Sequence, residues 1–75
     1  MKHVLSIMGR SGDVKVAWET EEAAAVAEAE RMFALHAAKG YTAFEIDPVT
    51  KESSRVDAFN PEALNTVMVP QIQGG

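Results

Sequence analysis

The residues with the clearest chemical use are the two at the end of the sequence, Gly74 and Gly75, which follow the run Val69-Pro70-Gln71-Ile72-Gln73. Glycine has no Cβ, so a Gly-Gly backbone can pass a narrow wall or lie close to a nucleotide where any side chain would collide. An α-carboxyl with an ordinary pKa of about 3.5 is ionised at neutral pH, and the carboxylate of Gly75 is a nucleophile for an activated phosphate. The segment from Pro70 to Gly75, fully extended, reaches about 20 Å, enough to enter a neighbouring active site. The plain alternative is a frayed end of small residues that does nothing. Val69 and Ile72 keep this end from being purely polar.

Other chemistry-bearing residues form no comparable constellation. His3 and His36 are too few for a metal centre, and no fixed carboxylate partner stands near either in sequence. His36 falls on the apolar stripe of a helix, which predicts a partly buried ring with a satisfied nitrogen. Ser6, Ser11, Ser53 and Ser54 lack a nucleophile setting, so a hydrolase triad is not expected. Gly9-Arg10-Ser11-Gly12 matches the loop by which some domains clamp nucleotides, but that loop joins two helices and this one joins two strands, so a hairpin turn is expected. Met8, Met32 and Met68 are expected to fill the core. Glu21, Glu22, Glu28 and Glu30 are most simply a solvated helix face.

Seventy-five residues make one small domain, too small for a deep cleft of its own. There is no cysteine, which removes disulfides, thiolate metal sites and thioester nucleophiles and fits a reducing compartment. No stretch resembles a signal peptide or a membrane span, so a cytoplasmic location without membrane attachment is expected. Seven Lys and Arg against eleven Asp and Glu give a net charge of −4. That balance argues against nucleic acid as a partner and favours a basic partner surface.

Elements must position the terminal segment. His3 to Met8 is β-rich, and Val14, Val16 and Trp18 alternate with Asp13, Lys15 and Ala17, so the first two segments read as a hairpin. Thr20 is a candidate helix cap, with Glu21 and Glu22 in the first turn. The alanine-rich stretch from Glu21 to Lys39 predicts a long helix whose stripe runs through Val26, Ala29, Phe33 and Ala37, stopped at Gly40. Tyr41 to Ile46 predicts a strand with Thr42, Phe44 and Ile46 on one face. Asp47-Pro48-Val49-Thr50-Lys51 is a turn, Ser54 to Phe59 a weaker strand, Asn60-Pro61 the start of a short turn, and Thr66 to Val69 a last strand. Leu5, Ile7, Val14, Val16, Phe44, Ile46 and Val67 are expected to form the sheet face under the helix, with Phe33 and Phe44 buried together. Trp18 and Tyr41 are either interface anchors or, for Trp18 especially, core. The order β-β-α-β-β-β, one helix on a mixed sheet, is an α+β arrangement of the β-grasp kind.

That order, ending in Thr66-Val67-Met68-Val69-Pro70-Gln71-Ile72-Gln73-Gly74-Gly75, resembles the ubiquitin-like β-grasp proteins. The final ten residues are most similar to the small sulfur carriers, namely the thiamine sulfur carrier and the small subunit of molybdopterin synthase. Gln71 and Gln73 stand where ubiquitin has arginines, so ubiquitin's own activating enzyme is not implied. The resemblance implies a folded domain over 1–69 and a flexible tail over 70–75. It implies activation at Gly75, beside Gly74, by a partner adenylating enzyme that uses ATP, with Pro70, Gln71, Ile72 and Gln73 as the partner-binding tail. Sulfur transfer and protein conjugation both follow, with a sulfur acceptor, a target protein or a deconjugating protease as further partners. No cofactor is expected on this chain, and the catalysis is expected on the partner. The alternative is a binding module or inhibitor of the same fold that acts through its sheet surface and never uses its tail.

Overall fold

The computed structural model describes residues 2–9 and 12–70. Five strands and one helix follow in the order β1 (Lys2–Ile7), β2 (Val14–Glu19), α1 (Ala23–Ala38), β3 (Thr42–Ile46), β4 (Ser53–Val56) and β5 (Asn65–Val69). They form a small α+β fold whose single mixed sheet has the strand order β2-β1-β5-β3-β4. β1 and β5 are parallel at its centre, and the other neighbours are antiparallel. The β1–β2 pair closes as the expected hairpin from Ile7 opposite Val14. Gly9 is required there because a Cβ would stand 2.8 Å from the Gly12 carbonyl oxygen. Arg10 and Ser11 lie outside the described residues.

One face of the sheet is covered by α1, which lies closest to β2. Because side chains alternate along a strand, register decides which residues meet it. Val14, Ile7, Met68, Ala43 and Val56 make one row across all five strands, and Val16, Leu5, Thr66, Glu45 and Ser54 make the next. Leu5, Ile7, Trp18, Ala29, Phe33, Ala43 and Met68 are buried together. Leu5 and Ile7 are buried on the expected face and Val16 packs against them, whereas Val14 shares that face but is 49% exposed at its edge. Phe44, Ile46 and Val67 do not take it: Phe44 pairs with Val67 on the opposite face. Ala43 and Met68 hold the covered positions instead, one residue out of step with the expectation. Phe33 consequently packs not on Phe44 but on Phe59, with ring centroids 5.7 Å apart. Phe59 is free to do so because β4 ends at Val56 rather than running on to position 59.

The helix starts at Ala23, two residues later than expected, and no side chain caps it. Thr20 lies two residues before the capping position, which Glu22 occupies, and its hydroxyl is turned to the His3 ring at 2.8 Å. Glu22 is the residue just before the helix, and its carboxylate accepts the Glu19 N–H at 2.9 Å. The other end stops as expected. Gly40 takes a left-handed φ of 94°, and the Tyr41 and Gly40 N–H groups donate to the carbonyls of His36 and Ala37, so the last carbonyls are satisfied. The 47–52 turn is also as expected: Asp47 Oδ1 accepts from the N–H groups of Val49 at 2.8 Å and Thr50 at 3.1 Å. Of the methionines, Met68 is fully buried and Met32 packs against the core, but Met8 is 39% exposed. Among the described residues, no helix is long and apolar enough to cross a membrane.

Candidate functional site: the root of the tail and the open sheet face

The strand that leads to the terminal segment is held on both sides. β5 runs between β1 and β3, with Met68 aligned with Ile7 and Ala43 and Val69 opposite Thr42. One residue past the end of β1, the Met8 N–H donates to the Met68 carbonyl at 2.9 Å. Pro70, exposed, ends the described chain. It has no N–H to continue a ladder. Of the sequence-predicted site residues, Pro70 is therefore placed at the mouth of the central strand. Gln71, Ile72, Gln73, Gly74 and Gly75 lie outside the described residues.

The face of the sheet turned away from α1 has no element over it among the described residues. Lys15, Ser6, Val67, Phe44 and Arg55 form a row across it from β2 to β4. At a strand spacing of about 4.8 Å the row spans roughly 19 Å. Its centre is apolar and half-buried, and both ends are cationic and exposed. Val4 and Val69 extend the apolar part along β1 and β5. Toward the start of β5, a shallow concavity of about 500 Å³ is bounded by Lys2, Val4, Ser6, Lys15, Leu64 and Asn65, among others. This face was not legible as a site in the sequence. Its signal was the run of apolar residues at both odd and even positions of Thr66–Val69 and Thr42–Ile46, which a sheet covered on one side does not require.

The two histidines are structural. His3 is 4% exposed, and its ring stacks on Trp18 with centroids 5.5 Å apart. The Ala63 carbonyl can only accept, so His3 Nδ1 carries a proton and donates to it at 3.0 Å; in the neutral ring Nε2 accepts from the Thr20 hydroxyl. Trp18 is 1% exposed and donates its indole N–H to the Pro61 carbonyl at 3.1 Å. Trp18 is thus core, and its reading as an interface anchor is set aside. His36 is half-buried, donates from Nδ1 to the Met32 carbonyl at 2.8 Å and meets Tyr41 edge-on, which is the satisfied ring expected. Among the described residues, no group of three or more His, Cys, Asp or Glu could hold a metal ion.

Charge is sorted between the two sides of the molecule. Glu21, Glu22, Glu28, Glu30, Asp57 and Glu62 lie on or beside the helix. On the helix itself, Arg31 binds Glu28 at 2.6 Å, a hydrogen bond that holds the Glu28 carboxyl below the usual carboxylate range. Against this, open-face strand positions carry Lys2, Lys15 and Arg55, and Glu19 is the one acid among them. Compared with family models, with curated proteins and with solved structures, the chain matches none of them.

Proposed function

We propose that the chain is a ubiquitin-like β-grasp carrier or modifier, used through the carboxylate of Gly75 for sulfur transfer or protein conjugation. The reading is carried by the course of β5. This central strand, paired on both edges, opens at Pro70 onto the five residues 71–75, which end in Gly74-Gly75. A strand fixed on both sides gives the segment a rigid root. The strand order β2-β1-β5-β3-β4 with one helix is consistent with such a fold.

In a partner adenylating enzyme, a Gly75 carboxylate oxygen attacks the α-phosphorus of ATP, forming an acyl-adenylate and expelling pyrophosphate. A sulfide or an amine then displaces AMP, leaving a terminal thiocarboxylate or an amide bond to a target. Catalytic groups belong to the partner. This chain supplies the carboxylate and a backbone thin enough to reach the nucleotide. Intact mass spectrometry with a sulfur-carrier or modifier-type adenylating enzyme and ATP tests it. The expected product is the acyl-adenylate, followed by oxygen-for-sulfur exchange with a sulfide donor or by an adduct with an amine. Deleting Gly74 and Gly75 should abolish every adduct while leaving the thermal melt nearly unchanged. An unmodified full-length chain, or a truncated chain that still reacts, sinks the proposal.

A second reading has its own observation. The uncovered row Lys15–Ser6–Val67–Phe44–Arg55 suits a binding module that acts through its sheet and leaves the tail unused.

A further inference from the structure

We infer that the groove between α1 and the 61–62 turn docks a basic segment of a partner protein, with one apolar side chain set between lysines or arginines. The inference goes beyond the carrier reading and uses neither Gly75 nor the open sheet face. Three observations carry it. First, α1 presents a second side next to its core stripe. Ala23, Val26, Ala27 and Glu30 follow the i, i+3, i+4, i+7 spacing of one helix side. A helix side turned to solvent is ordinarily polar, but here alanines at 23 and 27 leave the helix thinly covered. With Pro61 on the facing wall they bound an apolar groove of about 600 Å³. Second, the facing wall is fixed. The Trp18 indole donates to the Pro61 carbonyl, the His3 ring donates to the Ala63 carbonyl, and the Asn60 side chain accepts the Glu62 N–H. A groove whose walls are already held needs little ordering to receive a side chain, which favours binding. Third, the charge around it has one sign. Glu30 stands on the helix side and Glu62 on the turn side, both exposed, and among the described residues no Lys or Arg lines the groove. Arg31, next to Glu30 in the chain, is bound to Glu28. The net charge of −4 calls for a basic partner, and this groove gives that charge a place and a shape. The two carboxylates set encounter and orientation, and the apolar floor supplies the contact.

The test is an amide-shift titration of the isotope-labelled full chain with a short synthetic peptide in which lysine alternates with leucine. A counterpart with glutamate in place of lysine is the control. The basic peptide is expected to move the amides of Ala23, Ala27, Glu30 and Glu62, leave those of Phe44 and Val67 in place, and bind more weakly as salt rises. Glu30→Lys with Glu62→Lys should lower its affinity roughly tenfold, two contacts being turned from attraction to repulsion. Both residues are exposed, so the melt should hold. Should the double reversal unfold the chain, Glu30→Gln with Glu62→Gln gives a smaller loss in the same direction. Ala27→Phe fills the floor without touching any charge, and it should weaken binding as well. Unchanged affinity in that variant overturns the inference, because the acids then attract without a groove. Equal binding of the two peptides, binding of neither, or shifts centred on Phe44 and Val67 overturn it too. So do shifts of the groove amides with protein concentration alone, since the occupant is then a second copy. Deleting Gly74 and Gly75 should leave the titration unchanged, which separates failure here from failure of the carrier reading.

Discussion

On the covered face of the sheet Leu5, Ile7, Trp18 and Met68 are buried to 3% exposure or less, while on the other face Val4, Phe44, Val67 and Val69 are only half-buried. The same strands supply both sets, at alternating positions. The covered face is closed by α1 and by a ring cluster in which His3 stacks on Trp18, Trp18 tilts against Phe59 and Phe59 against Phe33. Nothing comparable lies over the open face among the described residues. The contrast teaches that apolar content does not locate a core. A residue becomes core when another element covers it, and what remains apolar and uncovered is available for a partner.

Phe33 and Phe44 give the sharpest way to break the comparison. Phe33→Ala should cost about 3–5 kcal/mol, since a ring is deleted from a closed site, whereas Phe44→Ala should cost only about 1 kcal/mol, a half-buried side chain losing half its transfer energy. Thermal or denaturant melts of the two variants measure this directly, and equal losses would mean that the faces do not differ. Next in size is His3→Phe, which keeps a ring on Trp18 but leaves the Ala63 carbonyl without its donor. A loss of about 1–3 kcal/mol is expected. A melt identical to that of the parent would show that the ring packs without its hydrogen bonds contributing.

Thr66→Val sharpens the comparison from the other direction. Thr66 is 2% exposed, and its hydroxyl has no hydrogen-bond partner among the described residues, so replacing it with a methyl of similar shape should stabilise the fold by about 1 kcal/mol. A melting temperature that falls instead would reveal a partner for that hydroxyl. The smallest effect belongs to the exposed 47–52 turn. The backbone N–H groups of Thr50 and then Val49 hold the Asp47 carboxyl below its usual range. A lowered folded pKa means that the contribution is fully present above the ordinary aspartate range of about 4 and fades as pH falls through the lower, folded value. Acid titration should therefore shift the Val49 and Thr50 amides below that range, with a slight drop in melting temperature that Asp47→Asn makes independent of pH.

Much of this architecture is legible in local sequence because local physics decides it. Alanine density and Gly40 set the helix and its stop, Asp47-Pro48 sets a turn, and alternation in Val14–Trp18 sets a strand; each involves residues close in the chain. The stripe through Ala29 and Phe33 holds for the same reason. The ends of elements are less legible. Thr20 has the right chemistry for a cap, but the helix starts at Ala23 and the Thr20 hydroxyl is turned to His3, seventeen residues away; β4 ends at Val56, and Phe59 packs on Phe33 instead of continuing the strand.

What the sequence by itself determined is the set of elements and their order. What only the tertiary structure decided is which face of each strand is covered and how charge is sorted over the surface. Thr42–Ile46 and Asn65–Val69 carry apolar residues at both parities, so alternation cannot choose a side. The choice falls to strand pairing, where Met68 aligned with Ile7 and Ala43 turns Phe44 and Val67 outward. A shift of one residue in that register would exchange the two faces, and no local interaction within either strand opposes it. Only the simultaneous fit of five strands under one helix does.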